Sequence, residues 1–158
     1  MENKKYSSIP ETMEHVKNVA VIIGRFCNKL LERAKNHDKS KMEKPELEWF
    51  DKYTPLLKIL EYGTPEYKSS LEALQPALKH HYKHNRHHPE HWETDGNDPI
   101  IGMNLIDVIE MFCDWYAASK RTKNGDFRKS IDISCKRFKI GKQLHQIFIN
   151  TKEDLELN

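Results

Sequence analysis

GMNLIDVIEMFCDWYAASKR, residues 102–121, decides the fold. Leu105, Ile106, Ile109, Phe112, Cys113, Tyr116 and Ala117 recur at three- and four-residue steps, which marks a helix with a wide apolar face. Other helices must cover that face. From Glu11 to Lys35 the same period returns in Val16, Val19, Ala20, Ile23, Phe26, Leu30 and Leu31, so a first helix with one buried face is expected there. The short polar side chains of Asn36-His37-Asp38 compete for the backbone and favour a bend. Pro45-Glu46 opens a helix with Leu47, Trp49, Phe50 and Tyr53, interrupted or restarted at Thr54-Pro55 and running towards Gly63. Thr64-Pro65-Glu66 starts another, which must bend near Pro76 and stop at His88, because Pro89 disfavours helix in the residue before it. Residues 95–99 form a surface loop and Lys123–Asp126 closes the long helix. Two shorter amphipathic pieces follow, about 127–138 and 140–150. No strand pattern of useful length and no internal repeat intervenes, so the class is all-α, in about six helices. The 158 residues fit one domain over 1–158, with short flexible ends at about 1–9 and 151–158.

The 26 basic and 24 acidic side chains nearly cancel. No strong nucleic-acid signal and no membrane-surface charge results, so partners must be read from local sites. Cys27, Cys113 and Cys135 lie far apart in apolar helical stretches, the usage of reduced, structural thiols in a cytoplasmic protein. The N-terminus shows no signal-peptide pattern, and the longest apolar run, 19–23, is too short to span a bilayer.

Six of the nine histidines fall in HHYKHNRHHPEHW, residues 80–92. On a continuous helix, His80, His84, His87 and His91 share one face, and His81, His84 and His88 an overlapping one. Consecutive histidines on an exposed helix are often merely solvated; the rest of the chain argues for more. Asp107, with Glu110 and Asp114, forms a polar stripe on an otherwise apolar helix. An acid among Leu105, Ile106, Val108 and Ile109 is costly to bury unless it is paired or metal-bound, so Asp107 needs a partner.

The order His15, His37-Asp38, then Asp107 resembles the H…HD…D signature of the HD-domain metal-dependent phosphohydrolases. NRHHPEHW and MNLIDVIEMFCDWYAA also resemble a family of functionally uncharacterised small proteins from bacteria and phages. The first resemblance implies an HD-like helical bundle in which His15, His37, Asp38 and Asp107 hold a divalent ion (Mn, Fe, Zn, Co, Ni or Mg), with positions open to water and substrate. Imidazole and carboxylate together suit such ions. It also implies that later histidines bind a second ion, His81 and His88 being the candidates and His80, His84 and His87 the substitutes. Binuclear relatives usually place one extra histidine earlier, and none lies between His37 and His80.

With a single ion, His84, Asn85 and Arg86 would line the pocket and bond phosphate or transfer protons. Glu110, one turn from Asp107, would orient a ligand or accept a proton, and Asp114 would pair with a cation nearby. Lys39, Lys41, Lys120 and Arg121 are cations placed for a phosphate. The expected activity is hydrolysis of a small-molecule phosphate, preferably a nucleotide, through a metal-activated water. A homodimer is compatible with this. A di-iron oxygenase of HD fold and a non-catalytic metal-binding interaction protein are the alternatives. Trp49, Trp92 and Trp115 are expected mainly in packing.

Overall fold

The computed structural model describes residues 6–60, 64–92, 98–121 and 126–157. The protein is all-α, with no strand among these residues. Its contacts divide the chain into two units, Met1–Lys35 and Asn36–Asn158, where the sequence suggested one.

The first unit is built on α1, Ile9–Asn36, the helix expected from the apolar period. Its face is not buried. No residue of α1 is inaccessible to solvent, and Met13, Val16 and Ile23 are more than half exposed. Length and local bonds such as Thr12 N to the Ser8 carbonyl and Lys29 to Glu32 support the helix itself.

In the second unit the chain turns at Asp38, whose φ of 55° and ψ of 17° are left-handed. Among residues with a Cβ, aspartate tolerates this region better than most, at a cost on the order of 1 kcal/mol. One 3-10 turn, Lys39–Met42, leads to α2, Glu46–Ile59. That helix runs on through Pro55, where the sequence suggested an interruption. Thr64 caps α3, Pro65–Ala73, by accepting from Tyr67 N at 3.2 Å, as Thr64-Pro65-Glu66 predicts. The bend expected near Pro76 is a new helix start: α4 covers Gln75–His84, with Pro76 in its first turn, where proline's missing N–H is harmless.

The helix α4 ends four residues before the expected stop at His88. Asn85 leaves helical geometry at φ −121°; its backbone N–H still donates to the His81 carbonyl at 3.0 Å and its side-chain amide adds a second bond there at 2.8 Å, while the Tyr82 carbonyl, which a further turn would have used, accepts from His91 Nδ1 at 2.8 Å. The site depends on this early break.

The core lies in the second half. Met111 and Phe112 of α5 (Leu105–Ser119), Phe127, Ile131 and Cys135 of α6 (Phe127–Arg137), and Phe148 and Ile149 of α7 (Lys142–Asp154) form one buried cluster. Phe112 meets the Phe127 ring edge-on at 5.5 Å and stacks on Phe148 at 5.7 Å, while Trp115 stacks on Phe138. The terminal piece continues to Asp154, so 151–154 is helical and not part of a loose end. Burial pushes the Cys135 thiol up to about 11 and also raises Cys113, which fits unreactive thiols; Cys27 is exposed on α1. The loop predicted at 95–99 and the closure at 123–126 lie largely outside the described residues.

Between the two ends of that loop, Trp92 packs on Gly102. A Cβ at Gly102 would come within 2.7 Å of the Trp92 ring. Gly102→Ala is therefore expected to destabilise the fold by about 1–3 kcal/mol, the usual cost of overpacking, measured as a lowered denaturation midpoint.

Candidate metal centre

Four side chains converge from three places in the second unit: Asp38 after α1, His81 on α4, and His87 and His88 from the segment that follows α4. Their candidate ligand atoms all lie within 4.8 Å of one another. His81 Nε2 is 2.8 Å from His88 Nε2 and 3.2 Å from Asp38 Oδ1, and His87 Nε2 is 3.5 Å from the same oxygen. With metal–ligand bonds of about 2.0–2.1 Å, neighbouring donors in an octahedral or tetrahedral shell lie roughly 2.8–3.4 Å apart. The spacing fits one divalent ion. Asp38 Oδ1 and His87 Nε2 are moreover buried without a hydrogen bond, which is costly unless something else satisfies them.

A second set shares Asp38. Its other oxygen, Oδ2, lies 3.8 Å from His37 Nε2, which is 3.7 Å from Asp114 Oδ1. Asp38 thus has one oxygen towards each set. Lys41 Nζ also meets Oδ2, at 2.6 Å.

Two buried acids aim the imidazoles. Glu46, fully buried at the start of α2, accepts from His81 Nδ1 at 2.9 Å, from His80 Nδ1 at 2.7 Å and from the Ser40 hydroxyl at 3.0 Å. Glu110 accepts from His37 Nδ1 at 2.9 Å and His87 Nδ1 at 3.2 Å. A carboxylate on Nδ1–H fixes the tautomer and leaves Nε2 as the basic, metal-facing nitrogen. Glu110→Gln should weaken metal affinity about 10- to 100-fold without unfolding the protein. Competition against a chromogenic chelator would measure it; unchanged affinity would remove Glu110 from this role.

The electrostatics follow from these contacts. Burial disfavours the Asp38 carboxylate, but His81, His87 and Lys41 outweigh it and hold the group well below the usual carboxylate range. Asp114 and Glu110 raise the His37 imidazole to about 10. Burial, with His87 and His81 beside it, pulls His88 down to about 3, so it is neutral and able to ligate at any ordinary pH.

The expected ligand set is only partly brought together. His37, Asp38, His81 and His88 converge. His15 lies on α1, in the first unit, while the donors above all belong to the second. Asp107 is fully buried, but its partner is Arg86: Nε donates to Oδ1 at 3.2 Å and an Nη to Oδ2 at 3.0 Å. Asp107 also closes a capping box, Asp107 N donating to Asn104 Oδ1 at 3.0 Å and Asn104 N to Asp107 Oδ2 at 3.1 Å. The acids of α5 that face the histidines are Glu110 and Asp114, one and two turns further on.

Arg86, expected to meet substrate, is held by Asp107 and stacked over Trp92 at 4.3 Å. Asn85 is buried, bonded to Ser40 and the His81 carbonyl. His84 is exposed, stacked on His80 and bonded through Nδ1 to the His80 carbonyl, outside the convergent set. Lys120 lies over the Tyr116 ring and Arg121 is exposed past the end of α5; no contact joins either to the cluster among the described residues. Lys39 is exposed near Glu43. Lys41 alone of the proposed phosphate-binding cations touches the centre. Glu46 and Ser40 went unrecognised: an acid after proline reads as an ordinary first-turn residue, and nothing local marks it as a support for histidines 34 and 35 positions later.

The chain belongs to DUF5662, a family of unknown function, whose profile matches residues 4–156. No curated protein and no solved structure matches it. No described helix is long and apolar enough to cross a membrane.

Proposed function

We propose that this protein is a metal-dependent hydrolase of a small phosphate ester or anhydride, with a nucleotide as the preferred class, working in the cytoplasm. The observation that carries the reading is the pair of buried, unbonded atoms, Asp38 Oδ1 and His87 Nε2, facing His81 and His88 at metal-ligand spacing. Asp38, His81, His87 and His88 would hold one divalent ion, and His37, Asp38 and Asp114 a second. An ion there would polarise a phosphoryl oxygen and acidify a water. Glu46 and Glu110 hold the imidazoles in place, and the Lys41 ammonium is the cation available to a phosphate oxygen. The preference for a nucleotide follows from the HD resemblance alone.

Metal analysis of untagged protein, followed by a screen of nucleoside mono- and triphosphates, cyclic nucleotides and simple phosphomonoesters with Mn, Co, Mg, Zn and Fe, tests this. Metal-dependent release of phosphate or nucleotide is the expected result. A saturated metal site with no turnover on any of these would count against hydrolysis. The histidine-rich donors around a shared Asp38 also suit a di-iron oxygenase. Two irons per chain with oxygen consumption, and no hydrolysis, would favour that reading.

A further inference from the structure

The 28-residue α1 carries an apolar stripe that the metal site does not explain. With Met13 as position a of a heptad, Met13, Ala20 and Cys27 recur at a, and Val16, Ile23 and Leu30 at d. No charged residue interrupts this seam. A 3–4 repeat kept through three a and three d positions, from Met13 to Leu30, encodes a partner helix of the same phase more specifically than general amphipathicity does. Yet Met13, Val16, Ile23 and Cys27 are exposed and Leu30 is only partly covered.

We propose that α1 is a dimerisation helix whose seam packs against α1 of a second copy of this chain. Three observations select that partner. An identical helix supplies the matching heptad phase by construction. With Val19 and Phe26 beside it, the stripe is apolar along the helix, Met13, Val16, Val19, Ile23 and Phe26 being 38–66% exposed, which is the surface that a second copy of the same helix would cover. The positions flanking the seam, e and g, hold Thr12, Val19, Gly24, Phe26 and Leu31 with only Lys17 and Arg33 as charges, so no row of like charges opposes self-pairing. A monomer rarely leaves so long an apolar stripe in water. The inference stands independently of the metal reading.

Light scattering or sedimentation of the full chain at micromolar concentration tests it. The expected mass is twice the 18.7 kDa of one chain. Ile23→Asp, which buries a charge in the seam, should weaken association at least about 100-fold and give the monomer. Ile22→Asp, one residue off the seam on the same helix, should remain dimeric. Both variants should retain a cooperative thermal transition of the full chain. Should Ile23→Asp disturb the fold, Ile23→Ala against Ile22→Ala gives the same contrast with a smaller shift. A wild-type monomer, whose stripe is then covered by its own chain or left free, overturns the proposal. So does a dimer that the seam variants leave as tight as the off-seam controls.

Discussion

Asp38→Asn is expected to lose the bound ion and, with it, any metal-dependent turnover, while the helical fold persists. Among the described residues Asp38 is the carboxylate of the donor set with His81, His87 and His88, its Oδ1 at 3.2 Å from His81 Nε2 and 3.5 Å from His87 Nε2, and its second oxygen faces His37. An amide in its place removes the charge that offsets the cation and leaves three imidazoles with a neutral oxygen, a weaker donor set than the one with the carboxylate. Loss of a residue that merely orients a ligand costs about 10- to 100-fold in affinity, so loss of this donor should exceed that. Metal content after gel filtration, with a chelator competition for the affinity, reads the change directly. Wild-type stoichiometry and affinity in Asp38→Asn would exclude the site as assigned. Acid should act in the same direction: burial disfavours the His87 imidazolium, but Asp38 and Glu110 outweigh it and raise its pKa, so protons compete with the ion for His87 and binding should weaken as pH falls through that raised range. The Asp38 carboxylate stays ionised throughout, so that loss belongs to the histidines.

The second large effect has the opposite pattern. Asp107→Ala should destabilise the protein by about 2–4 kcal/mol, since it removes a helix cap and a charge-assisted double bond to Arg86 together. For a chain of this size that lowers the melting temperature by roughly 5–10 °C. Metal stoichiometry below the transition should be unchanged. Asp114→Ala should behave conversely, keeping most of the stability and losing an ion. If Asp107→Ala instead strips the metal from a protein of normal stability, Asp107 is a ligand and the Arg86 pairing is secondary.

That contrast shows how far the sequence could be read. Helix period and caps were legible because they are local: α1, the Thr64 start and α5 follow from residues a turn apart. The His37-Asp38 doublet was equally visible, and so was the physical demand that a buried acid on α5 find a partner. Which partner Asp107 finds was not, because Arg86 lies 21 residues away and both metal and guanidinium answer the same need. His87 was placed on the wrong face by the assumption that α4 continues to His88. Once Asn85 breaks the helix, His87 and His88 turn towards the same point as His81, an arrangement that no 3.6-residue wheel contains. Glu46 stayed hidden for the same reason: its partners are brought to it only by packing.

The short contact between Lys41 and Asp38 gives the centre an internal counter-ion. On the proposed two-ion reading, a cation beside His37 and Asp114 would have to displace this ammonium from Asp38 Oδ2, which would make that place the weaker of the two and would free the lysine arm for an incoming anion as it fills.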